Sequence, residues 1–133
     1  MMLEENKIVD RAQQVMGNLS RKGQMVTTSQ IRKFLTAVNT VTEKVNAYKL
    51  EKTDEYDTLP VELQAQIKYL KVKLAYQIGR NRSKWGNPVE DFEKEAGLIS
   101  LIDGIKSSTK EYEKFAHYIE ALVAFHKFYG GKD

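Results

Sequence analysis

The 133-residue sequence has no cysteine, two prolines and eight glycines. The missing cysteine excludes a disulfide framework, a thiolate nucleophile, an iron–sulfur cluster and a Cys-ligated zinc. No run of about 18 apolar residues occurs, so no segment is expected to span a bilayer. The acidic, amphipathic start MMLEENKIVD lacks the basic opening and unbroken apolar core of a secretory signal. A soluble, cytoplasmic protein is expected, and the sequons at Asn18 and Asn81 then carry little weight. A chain this short reads as one domain over residues 1–133. Folding should bury roughly two-thirds of its surface, which gives one core and little room for a deep cofactor cleft.

What is present is helical periodicity. Apolar residues recur at three- and four-residue steps, and strict alternation never persists, so the fold class is all-α, a single compact bundle of about five helices. Ile8, Ala12, Val15 and Leu19 mark the first helix, with Gly17 and the Asn18–Gly23 region expected to interrupt it. Thr27 and Gln30 have capping-box spacing ahead of a stripe of Ile31, Phe34, Leu35, Val38, Val41, Val45 and Tyr48. The polar segment 49–58 reads as a connection, and Pro60 opens a third helix to about residue 82 with a seam of Leu63, Ile67, Leu70 and Leu74. Asn87, Pro88 and Glu90 signal a fourth helix, with Val89, Phe92, Ala96, Ile99 and Ile102 inward. Ser108 and Glu111 repeat the capping box before a fifth, and Gly130-Gly131 ends it. That last helix is the most apolar and is either central to the bundle, the preferred reading, or covered by a neighbouring partner.

Net charge is only +3, but it is segregated. Between Asp10 and Glu43 no acid occurs, while Arg11, Arg21, Lys22, Arg32 and Lys33 contribute +5. Between Glu62 and Glu90, again without an acid, Lys68, Lys71, Lys73, Arg80, Arg82 and Lys84 contribute +6. The rest of the chain therefore carries −8. A polyanion is the natural partner of such windows, through phosphates and hence without sequence preference. A membrane surface fits less well, because the basic helix has no aromatic insertion face opposite its charges.

At 100° per residue, Tyr69, Lys73, Tyr76 and Arg80 share one narrow flank of the third helix. Cations alternating with rings suit phosphates beside stacked bases or riboses. Equally, such side chains can cover the edge of a core with their stems. Arg82 and Lys84 continue the basic character into the next loop, where Trp85 reads as a core plug in preference to a stacking platform.

No catalytic constellation emerges, and no metal or cofactor is expected. His117 and His126, nine residues apart on one helix, face opposite sides and cannot share a metal. His126 reads as a partly buried, hydrogen-bonded histidine, and Glu113 with His117 as a stabilising pair one turn apart. Ser107 and Lys110 are better explained by capping, the terminal GGKD lacks the earlier glycine of a phosphate loop, and the acids at 90–95 complement a helix N-terminus.

Three strings then stand together: TTSQIRKFLTAVN at 27–39, YLKVKLAYQIGR at 69–80 and YIEALVAFHKFYGGKD at 118–133. They resemble the small helical subunit of the Csm complex, the type III-A CRISPR–Cas RNA-guided interference particle of prokaryotes. The resemblance covers about four-fifths of the chain. It implies a non-catalytic bundle in antiviral defence that stacks head to tail in several copies, beside the backbone subunits and toward the large subunit, along the guide–target RNA duplex. Carried onto matching positions, it implies RNA contacts at Arg32, Lys33, Lys73, Arg80 and Lys127. The charge pattern adds Arg82 and Lys84, with Tyr69 and Tyr76 for stacking. A helical protein–protein scaffold without nucleic-acid contact is the alternative.

Overall fold

A computed structural model describes residues 3–23, 25–52 and 57–131. After a 3₁₀ turn at Glu5–Lys7 come six helices: α1 (Ile8–Lys22), α2 (Thr28–Glu51), α3 (Val61–Arg80), α4 (Pro88–Ala96), α5 (Leu98–Ile105) and α6 (Thr109–Phe128). No strand forms among the described residues; a lone bridge joins Thr58 to Ser108, clipping the entry of α3 to that of α6. Of the expected connection at 49–58, residues 49–51 belong to α2 and 53–56 lie outside the described residues, as do Lys132 and Asp133 of the terminal GGKD.

The helix starts follow the sequence signals. Thr27 Oγ1 accepts from the Gln30 N–H at 3.1 Å and the Gln30 side chain returns a bond to the Thr27 N–H at 2.8 Å, a full capping box. Asn87 caps α4 through the Glu90 N–H, ahead of Pro88 at the first position. Ser108 caps α6 through the Glu111 N–H, but the box is only half formed, because the Glu111 carboxylate pairs with Lys114 at 3.0 Å.

Two expectations fail at glycines. The fourth helix is two: Gly97 takes φ +71° and splits α4 from α5, turning Leu98, Leu101, Ile102 and Ile105 into the core where one continuous helix would have rotated them past it. Conversely, Gly17 does not interrupt α1. It is buried where α1 crosses α6, with the Tyr129 hydroxyl 3.4 Å from where a Cβ would stand, so its role is close approach, and α1 runs on to a left-handed Gly23.

Helix α6 packs against α1, α2 and α5 and forms the centre of the bundle. Tyr112, Phe115, Tyr118, Ile119 and Leu122 are fully enclosed, each such side chain contributing about 1.5–3 kcal/mol of burial. The buried tyrosines keep polar partners: the Tyr118 hydroxyl donates to Ala96 O at 2.8 Å, and that of Tyr112 to Val38 O at 3.0 Å beside Thr42 Oγ1 at 2.7 Å. Gly130 and Gly131 close α6 in a Schellman turn, donating to Lys127 O and His126 O.

Candidate nucleic-acid interface

Helices α2 and α3 run antiparallel on one side of the bundle. Gln30 at the start of α2 donates to Asn81 just past the end of α3 at 2.8 Å, and Lys44 near the other end reaches Gln66 at 2.9 Å. Between them lies a groove of about 540 Å³, walled by Gln30, Lys33 and Phe34 on one side and by Tyr69, Val72, Lys73, Tyr76, Gln77, Arg80 and Asn81 on the other. Its apolar floor follows from the core stripes meeting beneath, and its walls carry the flank that helical geometry had placed together.

Tyr69 and Tyr76 are 58% and 67% exposed. They do not seal the core edge; their rings stand in the groove wall, with the Lys73 ammonium 6.0 Å from the Tyr69 ring centre. Lys33 also borders two adjoining depressions, one of about 340 Å³ shared with Thr28, Ser29, Arg32 and Thr36, the other of about 300 Å³ toward Gln66 and Tyr69. No aspartate or glutamate among the described residues lines any of the three. Among the described residues, Arg32, Lys33, Lys73 and Arg80 form no ion pair with a carboxylate. Four cations on one face without compensation make a local positive field that a phosphate chain would neutralise.

The other basic residues of the two windows are spent differently, apart from Lys68, which is exposed, lines none of the three depressions and forms no ion pair among the described residues. Lys22 pairs with Glu95 at 3.4 Å, Lys71 with Asp103, and Arg82 with Glu90 at 3.8 Å. Arg11 donates to Ala96 O at 3.1 Å and lies over the Tyr118 ring, and Arg21 bonds Asn18. Lys84 sits 5.1 Å over the ring of Trp85, and Trp85 itself is 76% exposed, so the expected core plug is a surface ring on the α3–α4 loop, where no apolar layer reaches it. Lys127 is exposed in the last turn of α6, a helix that lines none of the three depressions. The fold thus assembles Arg32, Lys33, Lys73 and Arg80 with Tyr69 and Tyr76, and leaves Arg82, Lys84 and Lys127 outside the groove walls. Gln30, Gln77 and Asn81 join the walls as amide donors and acceptors; of these, sequence pattern singles out only Gln30, as a cap, and Asn81, in a sequon.

The histidines stay apart. His117 is exposed, whereas His126 is buried with Nε2 2.6 Å from Val26 O. Glu113 turns from His117 to Lys49, at 2.6 Å. Among the described residues no three of His, Asp and Glu converge as metal ligands, and no helix is long and apolar enough to cross a membrane. Strong perturbation falls on Tyr112 and Tyr118, each pushed up to about 12 by burial, with the Thr42 hydrogen bond and the Arg11 charge respectively opposing it.

The model of the family described as Csm2 Type III-A matches residues 3–132, nearly the whole chain. The chain belongs to the Csm2 type III-A family. It is 34% identical over 135 residues to the CRISPR system Cms protein Csm2 of Streptococcus thermophilus, covering 99% of this chain and 98% of that protein. The protein of the same name from Enterococcus italicus is 33% identical over 92% of this chain and 84% of its own length, and that of Mycobacterium tuberculosis strain H37Rv is 28% identical over 100% and 99%. In this Csm2-family chain, the strings 27–39 and 69–80 that carry the resemblance contribute the two facing walls of the basic groove, and the described part of the third, residues 118–131, covers the second half of the central helix and its terminating turn.

Proposed function

We propose that this Csm2-family chain is a non-catalytic small subunit of the type III-A Csm effector complex, stacking in several copies along the guide–target duplex and holding RNA through its sugar–phosphate backbone. The observation that carries the RNA contact is the α2–α3 groove: among the described residues its walls hold three cations without an ion pair, Lys33, Lys73 and Arg80, two exposed tyrosines and no carboxylate, with Arg32 in the adjoining depression. Ammonium and guanidinium groups on an open groove neutralise phosphates without reading base edges, so binding is insensitive to sequence. Exposed rings beside them offer sequence-tolerant stacking for bases or riboses. The backbone and large Csm subunits are its protein partners in this reading. A basic α2–α3 face and the net acidity of residues 90–133 supply complementary surfaces for head-to-tail contact between copies.

A salt titration of single-stranded RNA binding by filter retention tests the RNA contact. Affinity falls as salt rises, with a log–log slope near −0.7 for each neutralised phosphate. Absence of binding at low salt, or binding indifferent to salt, would leave the scaffold reading, in which the chain contacts protein only.

A further inference from the structure

The loop between α3 and α4 carries the single tryptophan of the chain, Trp85, and both ends of that loop are anchored. Asn81 donates to Gln77 O at 2.7 Å and accepts from Gln30 Nε2 at 2.8 Å, while the buried Asn87 donates to Ile78 O at 2.8 Å and caps α4 through the Glu90 N–H. Between these anchors Ser83 Oγ accepts from the Trp85 N–H at 3.2 Å and donates to Gly86 O at 2.9 Å, and the Gly86 N–H reaches Ser83 O at 3.3 Å. Gly86 takes φ +120°, open to glycine, which turns the chain from the ring into the cap at Asn87. The backbone under the indole is therefore tied at five residues, yet the indole itself is 76% exposed. Phe128 is comparably exposed, but its ring packs edge-on against Phe125 and Tyr129. Trp85 instead has the Lys84 ammonium 5.1 Å from its ring centre, and residues 80–85 hold Arg80, Arg82 and Lys84 without an acid. A planar apolar face set among cations is complementary to a planar base carried on its phosphate. An apolar protein patch would answer the ring and leave the cations unmatched, and an acidic one would answer the cations and leave the ring in water.

We propose that Trp85 is a stacking platform for a nucleobase of RNA leaving the α2–α3 groove, with Lys84 and Arg80 balancing the neighbouring phosphates. The inference rests on the RNA reading of that groove and extends it beyond the groove walls. Asn81 ends the wall and Trp85 follows four residues on, within about 14 Å by chain length, so one strand can engage both. The anchored loop fixes the ring before RNA arrives, which removes part of the ordering cost of binding. Any base has a face to offer, so the platform adds affinity without sequence preference. Unpaired nucleotides and the last pair of a duplex both expose such a face, whereas the pairs inside a duplex do not.

Because the chain has one tryptophan, indole emission from the intact protein reports this ring alone. Titration with a single-stranded uridine oligomer should quench the emission saturably, in step with filter retention of the same RNA. An oligomer of equal length built on abasic riboses keeps the phosphates and should be retained with little quenching. Trp85→Ala should weaken RNA binding about tenfold at an unchanged melting temperature, and Trp85→Phe, which keeps a ring, should stay within about threefold of the parent chain. RNA retained without quenching, equal quenching by the abasic oligomer, or unchanged affinity in Trp85→Ala would overturn the platform and leave the groove reading standing. Absence of any RNA binding at low salt would overturn both. A blunt duplex separates the two sources of a base face: quenching equal to that of the single strand assigns a terminal pair, and quenching by the single strand alone assigns an unpaired nucleotide. If Trp85→Ala binds RNA like the parent chain but no longer joins the other Csm subunits, the ring belongs to a protein contact and the platform falls.

Discussion

Gln30 Nε2 donates to Asn81 Oδ1 across 2.8 Å, so one side chain both completes the capping box of α2 and fastens that helix to the end of α3. The width of the basic groove is set there. Gln30→Ala should cost roughly 1–2 kcal/mol, from the lost reciprocal cap and the lost bridge. Thermal unfolding measures the loss, and hydrogen exchange should accelerate first at the Thr27 amide. A melting temperature equal to that of the parent chain would mean that the bridge is idle.

Reversing charge on the groove wall should separate binding from folding. Lys73 and Arg80 are exposed and pair with no carboxylate among the described residues, so Lys73→Glu with Arg80→Glu should leave the helical circular dichroism and melting profile intact. RNA affinity should fall, and the salt slope should become shallower by about one to two units. Lys68→Glu, exposed on the same helix but outside the groove walls, is the matched control and should change affinity less. Equal effects at both places would remove the groove from the interface.

Alkaline pH should unfold the protein from its centre. Burial raises Tyr112 and Tyr118 from 10.0 to about 12, so the folded state favours the neutral phenols more than the unfolded chain does. This contribution is complete below about pH 10 and is lost as pH climbs through about 12, on the order of 2 kcal/mol per ring. Urea midpoints compared at about pH 9 and 11.5 should therefore drop. Tyr118→Phe loses the bond to Ala96 O, at about 1 kcal/mol near neutrality, yet should flatten the alkaline drop.

Two glycines should respond to alanine with opposite signs. A Cβ on Gly131 would collide with the His126 ring, which is buried and held by Val26 O, so Gly131→Ala should destabilise by about 1–3 kcal/mol. Gly79 lies in α3 with nothing within 4 Å of the added methyl, so Gly79→Ala should stabilise by about 0.5–1 kcal/mol. Differential scanning calorimetry on the pair reads both.

Much of the fold was legible because helix caps and stripes are local. Thr27 with Gln30, Asn87 with Pro88 and the seam of α3 act within one or two turns, where the covalent chain fixes distance. Gly17 and Gly97 defeat a local reading for the opposite reason: whether a glycine ends a helix depends on the packing around that helix, and the first meets Tyr129 from the far end of the chain while the second takes a left-handed conformation that turns α5 into the core.

The sequence by itself determined an all-α chain with two acid-free windows and a ring–cation flank on α3. Tertiary structure decided which of those cations stay uncompensated. Glu95, Asp103 and Glu90 lie outside the windows along the chain, yet folding brings them to Lys22, Lys71 and Arg82. Arg32, Lys33, Lys73 and Arg80 meet no such partner among the described residues. Charge compensation is a matter of ångströms through space, attenuated within about 10 Å by salt, and only the folded chain sets those distances.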